Sequence, residues 1–460
     1  MAIATINPAT GETLKSFDPL TEAELTDRLR RAADAFTSYR RTSLADRAGW
    51  LRAAADVLDA DVEHAATLMT TEMGKTLAAA KAEVTKCAGA LRFFADHGPG
   101  YLASDAVDAE AVGATQAYVA YQPIGVVLAV MPWNFPMWQA MRFAAPALMA
   151  GNVGVLKHAS NVPQTALYLE ELFGKAGFPA DVFQTLLIGS NLVEPVLHDK
   201  RVAAATLTGS GPAGRSIAAI AGDEIKKTVL ELGGSDPFIV MPSADLDKAA
   251  EVATTARCQN NGQSCIAAKR FIVHESVADE FERLFAEKLT ALPVGDPMDE
   301  KTKVGPLATE QGRKDVEELV ADAVDKGARV VVGGQRPDRP GWYYPPTLIT
   351  DITAQMRMYR EEVFGPVASL YRVPDFDAAM TLANDSDFGL GSNLWSEDET
   401  ERERFVQDIE AGMAFINGMT TSYPQLPFGG VKTSGYGREL TVHGMREFLN
   451  IKSVWIGPDH

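Results

Sequence analysis

Cysteine is scarce in this chain: Cys87, Cys258 and Cys265 are the only three in 460 residues. The number is odd and no CxxC pair occurs, which excludes a disulfide framework and a zinc half-site, so no metal is expected and each thiol is judged singly. Net positive charge is lacking too, with 43 Lys plus Arg against 61 Asp plus Glu, a balance of −18. Such a surface repels a phosphate backbone and argues against nucleic acid as a partner. No apolar run approaches the ~18 residues a membrane helix needs. The opening MAIATINPATGETL has neither the basic start nor the apolar core of a leader. These absences predict a cytoplasmic protein with no membrane partner. What is present is an ordinary globular mixture, 46% hydrophobic and 23% charged. At roughly 150 residues per domain the length suits about three compact units.

Without repeats or low-complexity linkers, organisation has to come from changes in pattern. Residues 21–98 carry apolar residues at three- and four-residue spacing, in segments opened by Thr or Ser as N-caps, and predict an amphipathic helical layer. AYVAYQP then alternates as a half-buried strand does, and IGVVLAVMP is the uninterrupted apolar run of a central parallel strand. GNVGVLKH, a helix across QTALYLEELFGKAG, FQTLLIG, VAAATLTGS and a helix through RSIAAIAGD continue in the βαβ rhythm of a doubly wound sheet. A second series follows LELGGSDPFIVM, with helices at 244–258 and 276–290 and strands at KRFIVH, ARVVVGG and PVASLYRV. The fold class is therefore α/β, with two such units side by side. GMREFLNIKSVW ends in a strand that could pair outside its own domain, and EDETERERF reads as a solvated helix face.

Several segments could carry chemistry. Gly209, Gly211 and Gly214 satisfy GxGxxG between a strand and a helix, with Glu231 at the distance of a ribose-binding acid. The other reading is a plain glycine-rich turn. Cys265 in NNGQSC follows a glycine and a polar pair, a context for an accessible thiol, whereas Cys87 and Cys258 lie in helical stretches and read as core packing. Asn134 in MPWNFP closes a predicted strand, where open α/β sheets bind ligands, and could donate to an oxyanion. Glu231 in LELGG stands at a strand end among apolar residues and could equally act as a general base for water.

In their order and separations, MPWNFP, VLKHAS, TLTGS, LELGG, NNGQSC, EEVFGP and LPFGGVKTSGYGRE resemble the aldehyde dehydrogenase superfamily over nearly the whole chain. The short N-terminus, NFPMWQAMRF and KHAS are most similar to the bacterial members that use NADP on succinic semialdehyde. The resemblance implies a Rossmann-like cofactor domain over 1–104 and 123–232, an α/β catalytic domain over 233–424, and a β oligomerisation arm over 105–122 and 425–460. It also implies a homodimer or homotetramer. Cys265 becomes the nucleophile, Asn134 with the Cys265 backbone N–H the oxyanion donors, and Glu231 the base that activates water. The ribose role passes to Glu362. Trp133, Asn134, Lys157, His158, Ala159, Ser160, Gly209, Ser210, Leu232, Glu362 and Phe364 would hold the cofactor.

Ser160 stands where many NAD-using relatives carry a Glu, so NADP is expected, with NAD weaker. Arg142, on a helix that begins near Pro136, matches a carboxylate-binding Arg, and Ser422 a second donor, which makes a semialdehyde with a distal carboxylate the expected substrate. Two departures stand out: Gln259 occupies a position where some members have another Arg, and Ala267 one where certain relatives have a second Cys. The remaining alternatives are an aldehyde dehydrogenase of broader specificity, a thioester-transferring relative, and a binding protein of the same fold. Glu231, a base for water, counts against the second, and intact Cys265, Asn134 and Glu231 together count against the third.

Overall fold

A computed structural model describes residues 3–457. The helical layer consists of helices Glu22–Tyr39, Leu44–Ala60, Val62–Met73 and Leu77–Tyr101. The expected caps are present: Thr21 with Glu24 and Ser43 with Asp46 each form a reciprocal capping box. The opening hairpin, Ile3–Ile6 against Thr13–Phe17, went unread in the sequence because its second strand is almost wholly exposed and shows no apolar alternation.

Strand Val126–Met131 lies inside a six-stranded sheet. Val153–His158 and Phe183–Thr185 follow on one side, Val202–Thr208 and Lys227–Glu231 on the other, all parallel. Gly435–Tyr436, from far down the chain, closes one edge antiparallel to Lys227–Glu231. The strand order therefore reverses between Val126–Met131 and Val202–Thr208, and a crevice opens beyond their carboxyl ends, where open α/β sheets take ligands. A seven-stranded sheet holds the second series: Asp236–Val240, Ala268–His274 and Val367–Val373 run parallel at its centre, with Arg329–Val332 an antiparallel edge. The terminal strand Leu449–Ile456 pairs with Gln116–Pro123, which also pairs with Asp105–Val107, in a separate three-stranded sheet. No helix among the described residues is long and apolar enough to cross a membrane.

Every residue of helix Pro136–Ala150 is buried, as expected for a helix apolar around its whole circumference. No side chain of its own caps its start. The Glu83 carboxylate does so from helix Leu77–Tyr101, accepting from Met137 N at 2.9 Å and Trp138 N at 2.8 Å. Its other oxygen pairs with the buried Lys75 ammonium, which lies 4.3 Å from the Phe135 ring centroid. Helix Pro163–Lys175 is closed in the same way by Glu72, which accepts from Gln164 N at 2.8 Å and Thr165 N at 2.9 Å. These carboxylates satisfy orphan N–H groups and meet the positive end of each helix dipole. Glu83→Ala strands a buried ammonium as well as two amides. We expect a loss of about 3–5 kcal/mol in denaturant unfolding, whereas Glu63→Ala, which removes an exposed partner of Lys81, changes stability by under about 0.5 kcal/mol.

Candidate active site

The carboxyl edge of the six-stranded sheet gathers most of the sequence-predicted residues. Trp133 and Asn134 follow one strand, Lys157 to Ser160 the next, Gly209 and Ser210 another, and Glu231 ends the last. Glu83 and Glu72 close two of the helices that start along this edge, Pro136–Ala150 and Pro163–Lys175. Another, Gly211–Asp223, begins at Ser210 with no side-chain cap, so its N–H groups remain open to an anion.

Cys265 reaches this edge from the second unit on an unusual turn. Asn260 (φ 55°), Asn261 (φ 58°) and Gly262 (φ 76°) are successively left-handed. For two non-glycine residues this conformation is strained, and it persists only where surroundings impose it. Asn261 Nδ2 donates to Gly74 O at 2.8 Å and Pro306 O at 2.9 Å, while its Oδ1 accepts from Gly305 N at 2.7 Å. Asn260 Nδ2 donates to Asn134 O at 2.7 Å and Gln263 O at 3.0 Å. A Cβ on Gly262 would fall 2.3 Å from the Gly365 carbonyl carbon, so only glycine fits. After the turn, Lys269 Nζ donates to Ser264 O at 2.9 Å and Cys265 O at 2.8 Å and sits 3.1 Å from Glu362 Oε1. Lys269 thereby holds the nucleophile loop and the Glu362 carboxylate together.

A cleft of about 290 Å³ has Cys265, Trp133, Asn134, Gly209, Ser210, Leu232, Glu362 and Phe364 in its wall. Gln139, Thr208 and Gly233 line it as well, and sequence reasoning missed them. Gln139 lies inside an apolar helix run where nothing marked it as functional. A Cβ on Gly233 would lie 2.5 Å from Glu362 Oε2, so the glycine keeps room for that carboxylate. Asn134 Nδ2 donates to Gln263 O at 3.2 Å, which leaves its second amide hydrogen free. Trp133 and Phe364 meet edge to face, 5.7 Å between centroids.

Lys157, His158, Ala159 and Ser160 stand on the neighbouring strand end, outside that wall. No described residue forms an ion pair with Lys157, and burial alone lowers its pKa. The Ser160 carbonyl accepts from Ala4 N, 3.1 Å away. His158 is a strut: its ring is within 2.8 Å of Pro136 O and accepts from Ala159 N at 2.9 Å, and burial pushes its pKa down to about 4, so it is neutral. Ala159 packs beside Trp133 against Met73 and Val162.

The sequence predicts an accessible, partly ionised thiol, and here the structure differs. Cys265 is 9% exposed, and burial pushes its pKa up to about 12, opposed first by the Arg142 charge and then by Lys269. Glu231 lies outside the cleft wall, 1% exposed, with no hydrogen-bond partner for either oxygen. Its Oε1 comes within 2.7 Å of the point a Gly429 Cβ would occupy. Burial first, and the Glu439 charge second, hold its pKa well above the usual carboxylate range. The anion that compensates buried Arg142 is in the chain itself: Glu439 Oε2 lies 2.6 Å from its Nε. Ser422 lines a second cavity, of about 380 Å³, together with Phe428. No group of His, Cys, Asp and Glu among the described residues is arranged to hold a metal ion.

Residues 1–454 match the aldehyde dehydrogenase family. The chain is 63% identical over 456 residues to "Succinate-semialdehyde dehydrogenase [NADP(+)] 1" of Mycobacterium tuberculosis (strain ATCC 25618 / H37Rv), a match covering 99% of this chain and all of that one. It superposes with TM-score 0.96 at 41% identity on the crystal structure of succinic semialdehyde dehydrogenase from Streptococcus pyogenes in complex with NADP+, over 99% of this chain and 100% of that one. An NAD-dependent aldehyde dehydrogenase from Sinorhizobium meliloti superposes with TM-score 0.96 at 32% identity, over 99% and 92% of the two chains.

A thiol protonated at rest has a testable signature. Iodoacetamide labelling of Cys265, followed by mass spectrometry, should accelerate about tenfold per pH unit between roughly pH 7 and pH 10 as the thiolate fraction grows. A flat rate would reveal a resting thiolate.

Proposed function

The chain belongs to the aldehyde dehydrogenase family, and on that footing we propose that it oxidises succinic semialdehyde to succinate with NADP through a covalent Cys265 thioester. The observation that carries this reading is the meeting of Cys265 and Asn134 in one cleft with an uncapped helix start, in a chain 63% identical to an NADP-dependent enzyme of that name. The same residues suit the cofactor. The open N–H groups after Ser210 and the Lys157 ammonium are receptors for phosphates, and Ser160 introduces no carboxylate to repel a 2′-phosphate. Glu362, steadied by Lys269, would accept from ribose hydroxyls. The division into cofactor domain, catalytic domain and arm belongs to this proposal. So does association through the three-stranded sheet, whose Ile451 and Trp455 are 61% and 58% exposed, into a homodimer or homotetramer in the cytoplasm.

In this mechanism Cys265 Sγ gives its proton to solvent water and bonds to the aldehyde carbon, whose C=O pair moves to oxygen. The oxyanion formed takes the free Asn134 amide hydrogen and the Cys265 backbone N–H. NADP, when bound, supplies a hydride acceptor. Loss of hydride restores the C=O and leaves a thioester on Cys265. Glu231 then takes a proton from water, whose oxygen attacks the thioester; the C–S bond breaks, acid departs and the thiol regains its proton. To do so Glu231 must ionise and leave its place beside Gly429. Its raised pKa means that the base form grows as pH rises, so turnover climbs with pH across the neutral range.

Two measurements test the assignments. Cys265→Ala should abolish NADPH production while NADP still quenches tryptophan fluorescence, and Glu231→Gln should release one equivalent of NADPH in a burst, then turn over at least about 100-fold more slowly. Full turnover in either variant overturns the assigned role. Ser160→Glu should lower the ratio of kcat/KM for NADP over NAD at least about tenfold, 1.4 kcal/mol, through like-charge repulsion. An unchanged ratio would remove Ser160 from cofactor choice.

A further inference from the structure

Resting on the succinic semialdehyde reading, we propose that Lys86, together with the Ser422 hydroxyl it orients, binds the substrate's distal carboxylate and supplies the uncompensated positive charge that selects it. Among the cations around the site, Arg257 and Arg438 form no ion pair with any described residue but donate to backbone carbonyls, of Gly262 and of Gly430 and Gly437. Arg142 is neutralised within its buried pair with Glu439, Lys75 pairs with Glu83, and Lys269 with Glu362. Arg142 is also stacked over Phe428, 4.1 Å from guanidinium carbon to ring centroid. An anion entering beside Arg142 therefore also meets the Glu439 carboxylate. Lys86 forms no ion pair with any described residue; its contacts are to a hydroxyl and an aromatic face.

Those contacts aim it. Lys86 lies one turn after Glu83 on helix Leu77–Tyr101, half-buried on the side that meets helix Pro136–Ala150. Its Nζ is 4.3 Å from the Trp138 ring centroid and donates to Ser422 Oγ at 2.9 Å. Trp138 Nε1 donates to the same oxygen at 2.8 Å. With both lone pairs of Ser422 Oγ engaged, its own O–H is left to donate, and Ser422 stands in the wall of the 380 Å³ cavity. The ammonium keeps two further N–H donors. Lys86, one hydrogen bond behind the wall, and the Ser422 hydroxyl in it make a cationic, hydrogen-bonding receptor at a cavity whose lining includes Met413, Phe415 and Phe428 beside Thr421 and Tyr423. Phe428, under the Arg142 guanidinium, shares the cavity wall with Ser422 and one hydrophobic cluster with Met413 and Cys265, so thiol and receptor share one neighbourhood.

A half-buried ammonium with no counter-ion is destabilised, and a carboxylate ligand relieves that. Burial first and the like charge of Arg142 second push the Lys86 pKa down to about 8, with Lys75 adding to this and Cys87 and Glu83 opposing it. For a chain of net charge −18, a local cation of this kind is also what draws in an anionic substrate.

The test compares succinic semialdehyde with butanal, which has the same chain length and no charge, in wild type, Lys86→Met and Lys86→Arg. Met keeps the apolar stem over Trp138. We expect the succinic semialdehyde KM of Lys86→Met to rise about tenfold or more, 1.4 kcal/mol, with kcat within about twofold and butanal kinetics unchanged. Lys86→Arg should restore most of the loss. In wild type the KM for succinic semialdehyde, but not for butanal, should climb above pH about 8, and in Lys86→Arg that climb should vanish. Equal losses on both aldehydes, or none, overturn the role of Lys86. A wild type that handles butanal as well as succinic semialdehyde overturns instead the functional reading on which this inference stands.

Discussion

The left-handed turn at Asn260, Asn261 and Gly262 is the constraint on which the site depends. It places Cys265 through three anchors in different parts of the molecule: Gly74 at the end of a helix in the N-terminal layer, Asn134 at the edge of the first sheet, and Pro306 in the second unit. The strain costs on the order of 1–3 kcal/mol per residue and persists only because surrounding backbone over-determines it. The side-chain amides that hold the turn also fix Asn134. Cys265 and Asn134 are thus positioned by one hydrogen-bonded cluster, and a shift of either sheet relative to the other would be felt at both.

Around that cluster, charge is managed by burial. Glu83 and Glu72 close two helix starts with carboxylates from the helical layer, whereas the start after Ser210 has no side-chain cap. The same economy applies to the reacting groups. Loss of solvent disfavours the charged forms of Cys265 and Glu231 and raises the pKa of both. Arg142 is the cation that tempers both, and its own charge is balanced by Glu439.

Much of this was legible in the residues themselves. The apolar run over Val126–Met131 and the strand–turn–helix rhythm after it identified the parallel sheet, and Thr21 and Ser43 marked helix starts, because hydrophobic period and capping are local properties. Cys265, Asn134, Gly209 and Ser210 stood out for the same reason, each in a turn that closes or opens an element. Lys86, Lys269, Gln139 and Glu439 did not. They lie within regular elements or beside glycine turns, and their significance depends on partners up to 336 residues away, as in the contact of Lys86 with Ser422.

By itself, then, the sequence determined the α/β class, the order of the central strands and helices of the first sheet, and the residue types available for thiol chemistry, since these follow from periodicity, turn chemistry and local spacing. Only the tertiary structure decided which charges are spent on one another and which are left over. Arg142 reads from its neighbours as a free guanidinium until Glu439 is folded against it, and Lys86 reads as a surface lysine until Trp138 and Ser422 enclose it. Ion pairing and desolvation depend on distances across the fold, which no local pattern of residues encodes.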